Sequence, residues 1–392
     1  MRAPYTGVAI VGYGQTAYTK RSELPALWYV ADAIRRALTS AGLQKEDLDG
    51  LAVTSFLLPP DNATIVTEHL GITTSWILHG VYGGASGVVS VLHAARAIQT
   101  GDAEVVVCVA ADAFTVDSHM ELMDRFNTSL RDYVAPYGFG GPNGLFALVQ
   151  QRHMYEFGTK REQLGKLAIT QRRHASLNPN ALLRQPLTLE DYLNARIIAD
   201  PIRLYDCVMP CAGGDAIVLT TVERARKLTD RPIYIWAGAE CHNFRPQDVV
   251  QLIGPWAAFR ADLFNQAAIE PRDLDFIQLY DDYPIMELIQ FEDLGFAAKG
   301  EGGSFIERTD FAIGGDLPLN TGGGQLSCGQ SGAGGGMIGL TEAICQLRQE
   351  AGPRQVPGAR IGLVSGYGMV GYGRGLSGAA VILSTAPRSD AR

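Results

Sequence analysis

An internally duplicated α/β fold is the class this sequence predicts, and three observations predict it. Short apolar runs of strand length alternate with segments of helical spacing, the rhythm of a layered α/β core. A signature recurs, since Asp47-Leu48-Asp49 and Asp273-Leu274-Asp275 each head a predicted strand. A Gly-containing turn, a helix and an apolar strand then follow in the same order in both halves, at Gly84–Ile98 with Ala103–Ala111 and at Gln330–Ile344 with Ala359–Ser365. With 392 residues, 46% of them hydrophobic, the chain exceeds a single core. Two units are expected, 1–228 and 229–392, the first carrying a covering insertion over about 112–206.

Gly7–Gly14 reads as a short strand closed by a Gly-punctuated turn, and Trp28–Ala41 has helical apolar spacing. Asp47–Ser55 reads as the next strand. Val81–Thr100 is a small-residue turn entering a helix whose face carries Val88, Val91, Leu92, Ala95 and Ile98. The nearly continuous apolar run Ala103–Ala111 suits a strand covered on both faces. From Asp112 to Asp206 the composition turns polar and aromatic, with loop-like Tyr133–Gly144 and helical periods over Leu145–Phe157 and Thr159–Ala175. So long a stretch between strands covers a site rather than adding a core layer. Asp215–Thr221 is the next strand, and Val222–Leu228 the next helix.

The densest motif is Asn320–Met337, NTGGGQLSCGQSGAGGGM, in which eight of eighteen residues are Gly. Met337, Ile338, Leu340, Ile344 and Leu347 follow at helical spacing, so the run is a close-packed turn ending at a helix N-terminus rather than a flexible linker. Free N–H groups and the helix dipole suit such an end to holding an oxyanion; a tight structural turn is the alternative. A net charge of −8 and a pI near 5.4 argue against a nucleic-acid surface, and no apolar run reaches membrane-spanning length. A cytoplasmic protein is expected. The six cysteines lack a paired metal spacing, so free thiols and no metal site are the reading.

The segments VYGGASGVVSVLHAARAI, IADPIRLYDCVMPCAGGDAIVL, QLYDDYPIMELIQFEDLGF and LNTGGGQLSCGQSGAGGGM, with HMYEFGTKREQLGKLAITQRRHASLNPNALLRQPLT, resemble the thiolase superfamily in its sterol-carrier-protein-x and lipid-transfer-protein branch. The resemblance spans nearly the whole chain. It implies the thiolase fold, with two similar βαβαβ halves in a five-layered αβαβα sandwich, a homodimer, and an acyl-CoA site where two helix N-termini converge. It also implies no tightly bound cofactor, coenzyme A entering as the substrate thioester.

The catalytic positions of the resemblance are altered here. The nucleophilic Cys falls on Gly84, the first catalytic His or Asn on Tyr280, and the second His on Gln330. The seven histidines all lie at or before His242. Without a thiolate and its base, acyl transfer through a covalent intermediate lacks its machinery. Amide donors and phenols beside carboxylates suit a retro-aldol cleavage that leaves a thioester enolate. Family branches lacking the nucleophile act as such aldolases, often on steroid side chains, with an OB-fold and zinc-ribbon partner of the DUF35 type. Two other readings stand beside this one: an acyltransferase with a displaced nucleophile such as Cys328, and a non-catalytic acyl-CoA or lipid carrier or scaffold.

Tyr280 is the first candidate base, a role needing a lowered pKa or a neighbouring carboxylate. Strand alternation selects Asp282 over Asp281 as that neighbour and turns Tyr283 to the core or site wall. Gln330 could donate to the thioester oxygen, and Tyr367, in the Gly-rich GYGMVGYG after a strand, is a candidate site edge. Gly84, Ala85 and Ser86 in the first turn, with Gly323, Gly324 and Gly332 in the second, are the candidate oxyanion and substrate-binding positions. Arg172, Arg173 and His174, with Lys160, Arg161 and Lys166, fall where the resemblance places the border of the CoA cleft; a solvated helix face is the alternative.

Overall fold

The alternating apolar runs become strands and helices of a computed structural model that describes residues 3–124, 127–138 and 141–388. The chain opens with β1 (Val8–Gln15), α1 (Ala26–Ala41), β2 (Gly50–Thr54), α2 (Ala63–Leu70), β3 (Trp76–His79), α3 (Ser86–Thr100) and β4 (Val105–Ala113). Next come α4 (Val116–Asp124), α5 (Thr128–Tyr133), α6 (Gly141–Phe157), α7 (Arg161–Ser176), α8 (Leu189–Asn194) and a ribbon of β5 (Ile197–Ala199) and β6 (Ile202–Arg203). β7 (Ala212–Thr221), α9 (Val222–Leu228), β8 (Ile233–His242), α10 (Trp256–Ala267) and β9 (Phe276–Gln278) follow. The chain ends with α11 (Pro284–Asp293), α12 (Gly302–Arg308), α13 (Gly324–Cys328), α14 (Gly335–Leu347), β10 (Ile361–Gly371) and β11 (Arg374–Ser384).

The main sheet runs β3-β2-β4-β7-β1-β8-β11-β10-β9. Its two halves repeat one pairing scheme. β2 and β4 are parallel while β4, β7 and β1 are antiparallel, and β9 and β10 are parallel while β10, β11 and β8 are antiparallel. The halves join through two residue pairs of β1 and β8, Ala9 with Tyr234 and Ile10 with Ile233.

Strand alternation builds the layers. Ile217 and Leu219 of β7 and Ala379 and Val381 of β11 share a core with Val88 and Leu92 of α3 and Met337 and Leu340 of α14. The alternate β7 residues Ala216 and Val218 pack outward on α1. The alternate β11 residues Ala380 and Ile382 pack outward with Phe259 and Leu263 of α10 and Ile289 of α11. The order is helix, sheet, the α3 and α14 pair, sheet, helix, which is the expected five-layered αβαβα sandwich.

Several local expectations are corrected. Asp47 and Asp273 do not head strands, because each carboxylate turns back on a nearby amide, Gln44 N at 2.9 Å and Glu270 N at 2.8 Å. The strands begin at Gly50 and Phe276. β9 ends at Gln278, so Tyr280 lies beyond it and strand alternation does not govern Asp281, Asp282 and Tyr283. The GYGMVGYG stretch lies within β10 and its hairpin, not after a strand. Tyr133–Gly144 holds the end of α5 and the start of α6, with 139 and 140 outside the described residues.

Candidate active site

Two helix N-termini meet at close range because glycines let them. A Cβ on Gly336 would stand 2.5 Å from the Gly84 carbonyl oxygen, and one on Gly87 would stand 2.2 Å from that of Gly336. The tight turns Gly83–Ala85 and Gly332–Gly334 lead into α3 and α14. Asp112, at the end of β4, fixes the second turn by accepting from Ala333 N at 2.8 Å, and holds the β2 exit through Phe56 N and Leu57 N. Burial pushes its carboxyl up to about 6 despite these donors.

Over this junction lies a cavity of about 450 Å³. Gly84 and Gly332 line it, as do Tyr280, Asp282, Tyr283 and Gln330. The last strand residue and the start of α11 are separated by five irregular residues, and Pro284 at the first helical position keeps Tyr283 extended. The bend is pinned from behind, Tyr280 N donating to Ser365 Oγ at 3.0 Å and Gln290 Nε2 donating to the Tyr280 carbonyl at 2.8 Å. Its result is that Tyr280, Asp282 and Tyr283 all face the cavity.

Tyr280 stands on Gly84. A Cβ there would lie 1.9 to 2.3 Å from the Tyr280 Cε2, Cζ and hydroxyl oxygen. The phenol thus fills the space any side chain at position 84 would need. Gln330 Nε2 reaches the Tyr280 oxygen at 3.4 Å and Gln325 Oε1 at 3.3 Å. Burial first, then the Asp282 charge, raises the Tyr280 pKa, so the pocket holds a phenol that donates rather than a phenolate. This reverses the lowered pKa that a resting base would need.

The two aspartates divide their work. Asp281 turns away, accepting from Gln325 N at 2.9 Å and Leu326 N at 3.0 Å at the start of α13. Asp282 lines the cavity and accepts from Tyr283 N at 3.1 Å. Burial, reinforced by the neighbouring Asp281 charge, raises its carboxyl well above the ordinary range. Such a group is a strong base once ionised.

Other candidates lie elsewhere. Cys328 is 2% exposed among Tyr18, Ala175 and Cys211, with Sγ 2.9 Å from the Gly322 carbonyl, and its thiol is raised by burial. Tyr367 is 1% exposed, its hydroxyl held between Gly375 N and Gln251 Oε1, each at 2.8 Å. Ala85 is core, and Ser86 Oγ accepts from Tyr82 N at 2.8 Å. Gly323 packs on Ala175, and Gly324 on Asp281 and Gln171. None of these six is on the cavity lining.

Four of the six basic residues are spent on structure, and Lys160 and Arg173 are exposed. Arg172 donates to Ser327 Oγ, Arg161 pairs with Asp206, Lys166 holds the Glu307 and Thr309 carbonyls, and His174 meets the Leu319 carbonyl. Among the described residues, the Lys or Arg side chain that lines the cavity is the exposed Arg196. The covering segment also contributes His119 and Asn143, which no motif marked, and Cys207 follows just beyond it. Burial lowers the His119 imidazole to about 4, leaving it neutral.

The family model described as Thiolase C-terminal domain-like matches residues 250–385. An acetyl-CoA acetyltransferase of Methanothermobacter thermautotrophicus is 31% identical, over 93% of this chain and 97% of that protein. A 17-hydroxy-3-oxo-4-pregnene-20-carboxyl-CoA lyase of Mycobacterium tuberculosis is 35% identical, over 87% of this chain and 91% of that one. The chain belongs to the thiolase superfamily. The solved structure of an Ltp2-ChsH2(DUF35) aldolase superposes with a TM-score of 0.85 at 33% identity, covering 98% of both chains. These likenesses place the chain in the aldolase-containing branch of the superfamily. In this chain Gly84 lies beneath the Tyr280 ring. No helix among the described residues is long and apolar enough to cross a membrane.

Proposed function

We propose that this protein is a carbon–carbon lyase that cleaves a β-hydroxyacyl-CoA by retro-aldol chemistry without an acyl-enzyme. The observation that carries this reading is the Tyr280 phenol seated over Gly84, where a nucleophilic side chain would have to displace the ring. The lyase and aldolase relatives support it. Asp282 takes the β-hydroxyl proton, the oxygen becomes a carbonyl, and the Cα–Cβ bond breaks with its electron pair passing to the thioester enolate. Tyr280 O–H and Gln330 Nε2–H, beside the α3 and α14 N-termini, stabilise the enolate oxygen. A proton returned to Cα completes the shortened acyl-CoA.

Coenzyme A thus enters as part of the substrate, and no tightly bound cofactor is invoked. A bulky apolar acyl group such as a steroid side chain suits walls that include Val116, Met120, Met123, Leu130 and Phe146. A homodimer, a DUF35-type partner of the kind the Ltp2-ChsH2(DUF35) aldolase carries, and a cytoplasmic location belong to the same proposal.

The test incubates the protein with a β-hydroxyacyl-CoA panel, following products and intact mass, with and without a DUF35-type protein. The expected result is a ketone or aldehyde with a shortened acyl-CoA and no mass adduct. Tyr280→Phe and Asp282→Asn should each lose about 10²- to 10⁴-fold in kcat, while Cys328→Ala keeps it within about twofold. The acetyltransferase relative favours a second reading, Claisen chemistry through a displaced nucleophile. An acyl adduct lost in Cys328→Ala would establish that reading in place of the lyase. Saturable acyl-CoA binding without turnover, with the partner present, would instead favour a carrier.

A further inference from the structure

The covering segment places one amide in the cavity with its orientation already set. Asn143 lies in the first turn of α6, beyond Gly141, whose φ is +69°, and Pro142, so its side chain leaves the helix toward the cavity rather than the core. Its Oδ1 accepts from the Tyr283 hydroxyl at 2.6 Å and from Cys207 Sγ at 3.6 Å. Both partners line the same cavity. Tyr283 is fastened in turn by its extended backbone before Pro284 and by its ring against Phe146, 4.5 Å between centroids.

The Tyr283 contact decides which end of the amide faces the substrate. Burial raises the Tyr283 phenol well above its usual value and the Cys207 thiol to about 12, so both remain protonated donors that require an acceptor. With Oδ1 taken, Nδ2–H is the end left for the cavity. The Tyr283 hydroxyl fixes the amide, while the Cys207 thiol divides its one proton between Asn143 Oδ1 and the Arg203 carbonyl, each at 3.6 Å.

We propose that Asn143 is a substrate-binding residue that donates Nδ2–H to the oxygen on the β-carbon, with Tyr283 as its positioning residue. This rests on the retro-aldol reading above. The thioester oxygen is served by the two Gly turns, Tyr280 and Gln330, whereas Asn143 enters from the covering segment, which also supplies the apolar walls for the departing fragment. As Asp282 takes the hydroxyl proton, the β-oxygen passes through alkoxide character before it becomes the carbonyl. A fixed donor is worth most at that moment, since it bonds the charged oxygen more strongly than the hydroxyl.

The experiment compares wild type, Asn143→Ala and Tyr283→Phe on one β-hydroxyacyl-CoA that the wild type cleaves. It also measures calorimetric binding of the matching acyl-CoA lacking the β-hydroxyl, and thermal melts. The expected result is a kcat loss of about 10²- to 10³-fold in Asn143→Ala and about tenfold in Tyr283→Phe. Affinity for the deoxy ligand should stay within about twofold in both, because that ligand offers no oxygen to Asn143. A kcat within about threefold of wild type in Asn143→Ala would overturn the proposal. So would parallel losses in kcat, deoxy-ligand affinity and melting temperature, which mark a merely structural amide. Failure of the wild type to cleave any β-hydroxyacyl-CoA would instead overturn the lyase reading on which the proposal stands.

Discussion

Gly84 and Tyr280 are one feature seen from two sides. Without a Cβ at 84 the phenol can descend onto the α3 turn, and with one it cannot, since the atoms would lie 1.9 to 2.3 Å apart. Gly84→Ala should therefore push the ring aside, lower turnover at least about 100-fold and cost about 1–3 kcal/mol of stability from overpacking. Wild-type turnover in this variant would show that the phenol has no part in catalysis. Gly84→Cys should likewise fail to create an acyl-enzyme, because the thiol and the ring compete for one space. At this scale the sequence was partly legible. The motif registers of Gly84, Tyr280 and Gln330 can be read along the chain, but the raised Tyr280 pKa depends on burial among groups from distant segments. Asn143 and His119 carry no motif and reach the cavity only because α4 and α6 fold over it.

At the scale of elements the duplication has a chemical hinge in each half. Asp49 caps the entry to β4 by accepting from Glu104 N at 2.8 Å and Val105 N at 2.7 Å. Asp275 does the same for β10 through Arg360 N at 2.7 Å and Ile361 N at 2.8 Å. The recurring Asp-Leu-Asp is therefore a turn-and-clamp device that joins two parallel strands, and its second Asp is the clamp. Asp275→Ala should cost about 1–2 kcal/mol in urea unfolding, with an unchanged m value. An unchanged midpoint would mean that water replaces the carboxylate without loss. The repeated motif is visible in the sequence; its function as a clamp is not, because the amides it binds lie more than fifty residues away along the chain.

The whole molecule buries many carboxyls without giving each a cation. Asp112, Asp215, Asp281 and Asp293 are each pushed up to about 6, with burial as the leading cause. A carboxyl whose folded pKa lies above its unfolded value holds its proton more tightly when folded. Its contribution to stability is then full below about 4 and is lost as pH rises through about 6. Glu292 and Asp32, whose pKa values are lowered, act oppositely and only at more acidic pH. The buried imidazoles oppose this, since His119, lowered to about 4, and His174, also lowered, lose stability as pH falls below about 6.5. The four raised carboxyls outnumber them, so the melting temperature should rise as pH falls from 7 to about 5, as thermal melts across that range will show. A steady fall over the same range would contradict it. Such buried acids concentrate around the α13 and α14 approach to the cavity, where Glu287 is also raised and is held by Gln171 and Asn320.

By itself the sequence determined the layered α/β class, the internal repeat, the Gly-rich turn feeding a helix, and the absence of a thiol at position 84. These follow from local periodicity and from residue identity, which survive in one dimension. Tertiary structure alone decided that Tyr280 occupies the space over Gly84, that Asp282 and not Asp281 enters the cavity, and that Cys328 and Tyr367 lie outside its lining. It also set Asn143 in the wall. The physical reason is that burial, hydrogen-bond supply and side-chain direction at the site are set by segments far apart in the chain, and none of these is a property of one residue's neighbours in sequence.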